Sequence, residues 1–124
     1  MALELIDFGP DGSTGRITIT NTGNAATQPS LEVTGGMSGG FVLTEVITGA
    51  VIRVERVIPE ESTIFIDQAT GSVTVDNQSP ITGNVTRSDW WAVPPGATRV
   101  VQFAALGAVT GTPTLTVRYR AANS

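Results

Sequence analysis

The chain has 124 residues, a formal net charge of −4, no cysteine and no histidine. That length supports one domain with its own core. The two absences exclude disulfides, thiol or imidazole nucleophiles, histidine general bases and any His/Cys metal or haem site within the chain.

The N-terminal residues 1–7, MALELID, have neither the basic start nor the apolar core of a signal peptide. No stretch approaches the ~20 apolar residues of a membrane span. Valine, isoleucine and threonine make up about a third of the chain, and β-branched side chains suit a pleated sheet and crowd a helix. Period-two alternation then marks strands in order along the chain. RITIT at 16–20 points Ile17 and Ile19 to one face. LEVT at 31–34 and IRVE at 52–55 repeat the pattern. IFID at 64–67 and SVTVD at 72–76 read as a hairpin around residues 68–71, QATG. Residues 99–105 and 114–120 are the last two strong strands, with a helical turn expected at most over 103–106. Gly and Pro clusters at 9–12, 22–24, 48–49, 94–96 and 111–113 read as chain reversals. The run GGMSGG at 35–40 reads as the flexible segment.

Many short strands at this spacing predict an all-β antiparallel sandwich of the jelly-roll or galectin-like kind, with almost no helix. One domain over 1–124 is expected. Its core should contain Ile17, Ile19, Leu31, Val33, Ile64, Ile66, Val73, Val101, Phe103, Leu115, Val117 and Tyr119.

Four ordered stretches carry a family resemblance. ITITNTGNA at 17–25 runs on to PSLEVTG at 29–35, a strand, an N-x-G-x-A turn, a proline and a second strand. IFID and TGSVT give a hairpin of the form I-D-x-x-x-G-x-V. SDWWAVPPG at 88–96 gives a W-x-x-x-P-P-G element, and TVRYR at 116–120 closes the chain. Over roughly residues 14–121 this order resembles the C-terminal, galectin-like domain of siphophage distal tail (Dit-type) and minor tail proteins. In that family the Pro-Gly turn is often followed by Ser-Asn, where this chain has Ala97-Thr98. The resemblance implies a non-enzymatic structural component of a long-tailed phage tail or tail tip, made in the bacterial host cytoplasm and carried in the virion, with other tail proteins as partners. The family's ring-forming N-terminal domain has no counterpart here, so the chain is expected to be an excised domain or a small stand-alone component. Ring formation does not carry over.

The alternative is a carbohydrate-binding module for host-surface attachment, because such sandwiches serve both ends. The two tryptophans, Trp90 and Trp91, are adjacent, and neighbours in a strand point to opposite faces. The resemblance makes Trp90 part of the framework and leaves Trp91 as the exposed contact for a partner or a glycan. Arg118 and Arg120 share the outward face of the last strand, either as a solvated charged face or as a docking face for an acidic partner. Asp67, Asp76 and Asn77 bracket the hairpin and are expected to stabilise turns rather than hold calcium. Glu60 and Glu61 are adjacent in sequence, whereas glycoside hydrolysis needs two carboxylates facing each other across ~5–9.5 Å. No metal, no cofactor, no catalytic residue and no nucleic-acid partner is expected. Its mean hydropathy is +0.15 with 15% charged residues, which suggests surface covered in an assembly. Open strand edges and the 35–40 run are the places expected for such contact.

Overall fold

The computed structural model describes residues 2–7, 15–76, 78–111 and 113–119. Among them the chain forms eleven strands and one short 3-10 turn, Thr82–Asn84. The strands are β1 (Ala2–Asp7), β2 (Gly15–Thr20), β3 (Ser30–Thr34), β4 (Phe41–Glu45), β5 (Ala50–Val54), β6 (Thr63–Asp67), β7 (Ser72–Val75), β8 (Ser79–Pro80), β9 (Val85–Ser88), β10 (Thr98–Ala105) and β11 (Thr114–Tyr119). They build a six-stranded sheet in the order β1-β11-β3-β6-β7-β8 and a five-stranded sheet in the order β2-β10-β4-β5-β9. Every pairing is antiparallel. This is the expected all-β sandwich.

The alternation read from the sequence sets the inner faces. Ile17, Ile19, Leu31, Val33, Ile64, Ile66, Val73, Val101, Phe103, Leu115 and Val117 are all buried. The backbone of Tyr119 pairs with Ala2, and its side chain lies outside the described residues. Phe41 and Phe103 stack inside with ring centroids 6.1 Å apart. Fully burying side chains of this size is worth roughly 1.5–3 kcal/mol each, so the two apolar faces are the main reason the sheets close on each other.

Some elements differ from expectation. Strands β1, β4, β8 and β9 were not marked by alternation. β4 is one of the most buried, with Phe41 and Leu43 at 0% and 1% exposure. Strand β10 runs straight through Ala105, so the helical turn expected at 103–106 does not form.

The glycine-rich run 35–40 is also corrected. It crosses from one sheet to the other as a buried cap, with Met37 fully enclosed. Met37 exchanges backbone hydrogen bonds with Ile58, and Ser38 and Gly39 donate to the carbonyls of Ala108 and Leu106. The glycines are there for close approach. A Cβ on Gly35 would collide with the carbonyl of Pro59, and one on Gly40, at φ +98°, with the carbonyl of Val54. This run packs across one end of the sandwich. The other end carries the turns of interest.

Candidate functional site

The far end is organised first by buried polar side chains. Asn21, at the exit of β2, is fully buried. Its Oδ1 accepts from the Gly23 amide at 2.9 Å, and its Nδ2 donates to the carbonyls of Ala25 and Val93 at 2.7 and 2.9 Å. Gln68, at the exit of β6, donates to the Pro29 carbonyl and accepts from the Trp91 amide, both at 3.0 Å. The N-x-G-x-A turn, the I-D-Q hairpin and the W-W-A-V-P-P-G element are thus tied together by two amides. Buried amides are tolerated because their donors and acceptors find partners. The segments that carry the family resemblance are therefore a structural staple.

Glu45, the last residue of β4, is fully buried. Its carboxylate accepts from the Thr48 amide at 2.6 Å, the Thr48 hydroxyl at 2.8 Å, the Ile47 amide at 3.3 Å and the Val100 amide at 2.7 Å. Burial pushes its carboxyl up, but these donors outweigh it and hold it below the usual value near 4.5. Glu45 therefore fixes the β4–β5 turn against β10. The turn presents Val46 and Ile47 to solvent, at 42% and 56% exposure.

Beside that turn lies an open cleft of about 510 Å³, whose lining includes Thr48, Gly49, Arg87, Asp89, Trp90 and Arg99. Asp89 Oδ2 accepts from the Val51 amide at 3.1 Å and pairs with Arg87 at 2.8 Å. Those two contacts hold its carboxyl below the ordinary value. Trp90 is half-buried and lies over the β6–β7 turn, where a Cβ on Gly71 would sit 3.4 Å from the indole nitrogen. Arg99 is in phase on β10 with the buried Val101 and Phe103 and lines the cleft. It donates to the Thr98 carbonyl at 3.0 Å, and its buried Nε has no partner.

The residues singled out in the sequence are dispersed. Trp91 is only 6% exposed. The tryptophan assignment is reversed: Trp91 fills the core and Trp90 is the partly open ring. Residues 89–92 lie outside β9, and the bond from the Trp91 amide to Gln68 sets which indole turns inward. The signal was legible in part, since Trp91 is two residues from the fully buried Val93 while Trp90 shares its phase with small Ala92. Arg118 sits on the outer face of the six-stranded sheet, paired with Glu32 at 3.0 Å. Arg120 lies outside the described residues. Asp67 accepts from the Ala69 amide and Asp76 from the Thr63 amide, which is turn stabilisation; Asn77 lies outside the described residues. Arg87, Asp89 and Arg99 were not singled out. Arg99 carried a signal, a charge in phase with Val101 and Phe103.

Two antiparallel sheets whose turns are tied together by Asn21 and Gln68 define a β-sandwich module. The family model for the siphovirus-type tail component, C-terminal domain, matches residues 22–122, and the chain belongs to that family. Among solved structures it is similar to the SPP1 Dit (gp 19.1) protein, described as a paradigm of hub adsorption apparatus in phages infecting Gram-positive bacteria. The two share 14% identity with a TM-score of 0.63 over 94% of this chain and 46% of that one. The chain thus spans about half the length of that relative. No curated protein matches it in sequence.

Proposed function

We propose that this domain is a docking module of a long-tailed phage tail, working by protein–protein contact and without turnover. The observation that carries the reading is the family match over residues 22–122, with a fold shared with a tail hub protein. The site chemistry supports it. The buried Asn21, Glu45 and Gln68 are each engaged in backbone hydrogen bonds that hold turns. The open surface instead carries Val46, Ile47 and Val57, aliphatic side chains suited to a protein neighbour. The partners are other tail proteins, and the place of action is the virion tail after synthesis in the host cytoplasm.

The test is co-assembly. The tagged domain should co-purify with tail proteins from infected cells and label purified virions at the tail tip. Virions free of the protein would overturn the reading. Specific, saturable binding to one cell-wall glycan, with no tail protein retained, would favour the carbohydrate-binding alternative.

A further inference from the structure

We infer that the β4–β5 turn is a flap latched to the sandwich by two carboxylates, Glu45 and Asp89, and that protonating them releases the flap while the sheets stay closed. The device concerns the turn alone and holds whatever the domain docks with.

Little else holds this turn. Residues 46–49 are all exposed, so they bury little apolar surface. Two main-chain bonds close its base: Val46 donates to the Val100 carbonyl and Gly49 to the Glu45 carbonyl, both at 2.8 Å. The other bonds that tie the turn to its surroundings run to carboxylates. Glu45 Oε1 accepts from the amide and the hydroxyl of Thr48, and Oε2 accepts from the amides of Ile47 and Val100. Asp89 takes the Val51 amide just beyond the turn, so both ends are gripped. The flanking strands are held differently, by the buried Phe41, Leu43 and Ile52, which have no proton to gain.

Protonation converts one carboxylate oxygen from an acceptor into a donor. On Glu45 Oε2 the new O–H faces two amide donors that cannot reverse, and on Oε1 it faces the Thr48 amide. A buried donor set against a donor loses its bond, and the flap with it. The charged side chains on the elements packed against Glu45 are Arg53 on β5, Arg99 on β10, and Arg87 and Asp89 at the end of β9 and just after it. Among the described residues no ion pair involves Glu45. Arginine stays charged throughout, so the two carboxylates are the groups that titrate here. Burial raises the Glu45 value and its donors more than offset that; the Val51 amide and Arg87 lower the value of Asp89. Folded-state values below the ordinary ones mean that both latches are intact above the usual carboxylate range and let go as pH falls through the lowered values. Val46 and Ile47 ride on this flap, and Thr48 and Gly49 line the cleft. The surface they form keeps one shape only while the carboxylates are charged.

Amide hydrogen exchange on the labelled chain, corrected for its intrinsic pH dependence, reads the opening directly. Between about pH 6 and about pH 3, protection at the Thr48 and Val100 amides should fall at least about tenfold. The amides of Met37 and Ile58, each bonded to the other's carbonyl at the opposite end, should keep theirs. Glu45→Gln should show the lowered protection already at neutral pH. Thr48→Ala keeps the carboxylate and its three main-chain donors, and serves if Glu45→Gln does not fold. With one donor fewer, the pH midpoint followed at the Val100 amide should move up toward the ordinary 4.5. Asp89→Asn should lower protection at the Val51 amide severalfold. Equal loss at Met37 and Ile58 would mean that the whole domain opens, which overturns the flap. Full protection at Thr48 and Val100 in acid, an unmoved midpoint in Thr48→Ala, or unchanged protection of Val51 in Asp89→Asn would each overturn it as well.

Discussion

Glu45 shows how one buried charge holds a turn. Four donors converge on its carboxylate, from Thr48, Ile47 and Val100. With its folded-state pKa below the ordinary 4.5, the folded chain holds this proton less tightly than the unfolded one. The resulting stabilisation is complete above about pH 4.5 and is lost as pH falls through the lowered value. Glu45→Gln should cost on the order of 1–3 kcal/mol at neutral pH, because amide donors lose a charged acceptor. In urea melts the gap between wild type and variant should narrow toward acid pH. A gap that stays constant down to about pH 3 would show that the carboxylate charge does not matter. The tryptophans give a second expectation at this scale. Trp91→Ala should cost on the order of 3–5 kcal/mol, as for a buried large aromatic, and Trp90→Ala clearly less. Equilibrium denaturation of both variants checks the order.

At the scale of the element, the buried cap at 35–40 is the informative piece. Its glycines separate two effects that sequence alone merges, backbone conformation and available space. Gly40 has both a positive φ and a carbonyl where a Cβ would go; Gly49, in the β4–β5 turn, has a positive φ and open space around it. Gly49→Ala should cost only the conformational strain, about 1–2 kcal/mol. Gly40→Ala should cost more, on the order of 3 kcal/mol or above, since the main chain of Val54 must move as well. Thermal melts of the two variants compare them directly. Amide exchange at Met37, Ser38 and Gly39 should be as slow as in the central strands, because their N–H groups are bonded to Ile58, Ala108 and Leu106. Fast exchange there would restore the flexible-loop reading.

At the scale of the whole molecule, the pairing of β1 with β11 joins the two ends of the chain. Residues Ala2–Asp7 run in register against Thr114–Tyr119 and make β1, not β11, the edge of the six-stranded sheet. Removing residues 1–7 leaves β11 as an open edge with a row of unpaired backbone groups. The truncated domain should melt at a lower temperature and associate with rising concentration, read by calorimetry and size-exclusion chromatography. A truncated domain that stays monomeric with an unchanged melt would show that β1 contributes little. Because most strand neighbours are far apart in sequence, refolding should fall in the slow, millisecond-to-second range of all-β sandwiches.

The sequence by itself determined the class and most of the core. Period two is a local property, so Ile17, Leu31, Ile64, Val101 and Leu115 announced their face without knowledge of any partner. The ordered turn and proline motifs likewise led to the tail-component family. The tertiary structure decided what depends on contacts between distant segments. Strand β4 stayed hidden because it ends on a charged Glu45, whose burial is intelligible only once Thr48 and Val100 are beside it. The tryptophan pair was read in the opposite phase, because its orientation goes with Gln68, 23 residues away, whose side chain accepts from the Trp91 amide. The glycine-rich run looked flexible because glycine allows many conformations. It is instead packed and hydrogen-bonded, and its glycines are required because Pro59 and Val54 approach too closely for a Cβ. The cleft of Arg99 and Trp90 exists only where a turn of β4–β5, the segment after β9 and the start of β10 meet. Local alternation fixes which way a side chain faces, but a site requires side chains from separate strands, and only the closure of two sheets brings them together.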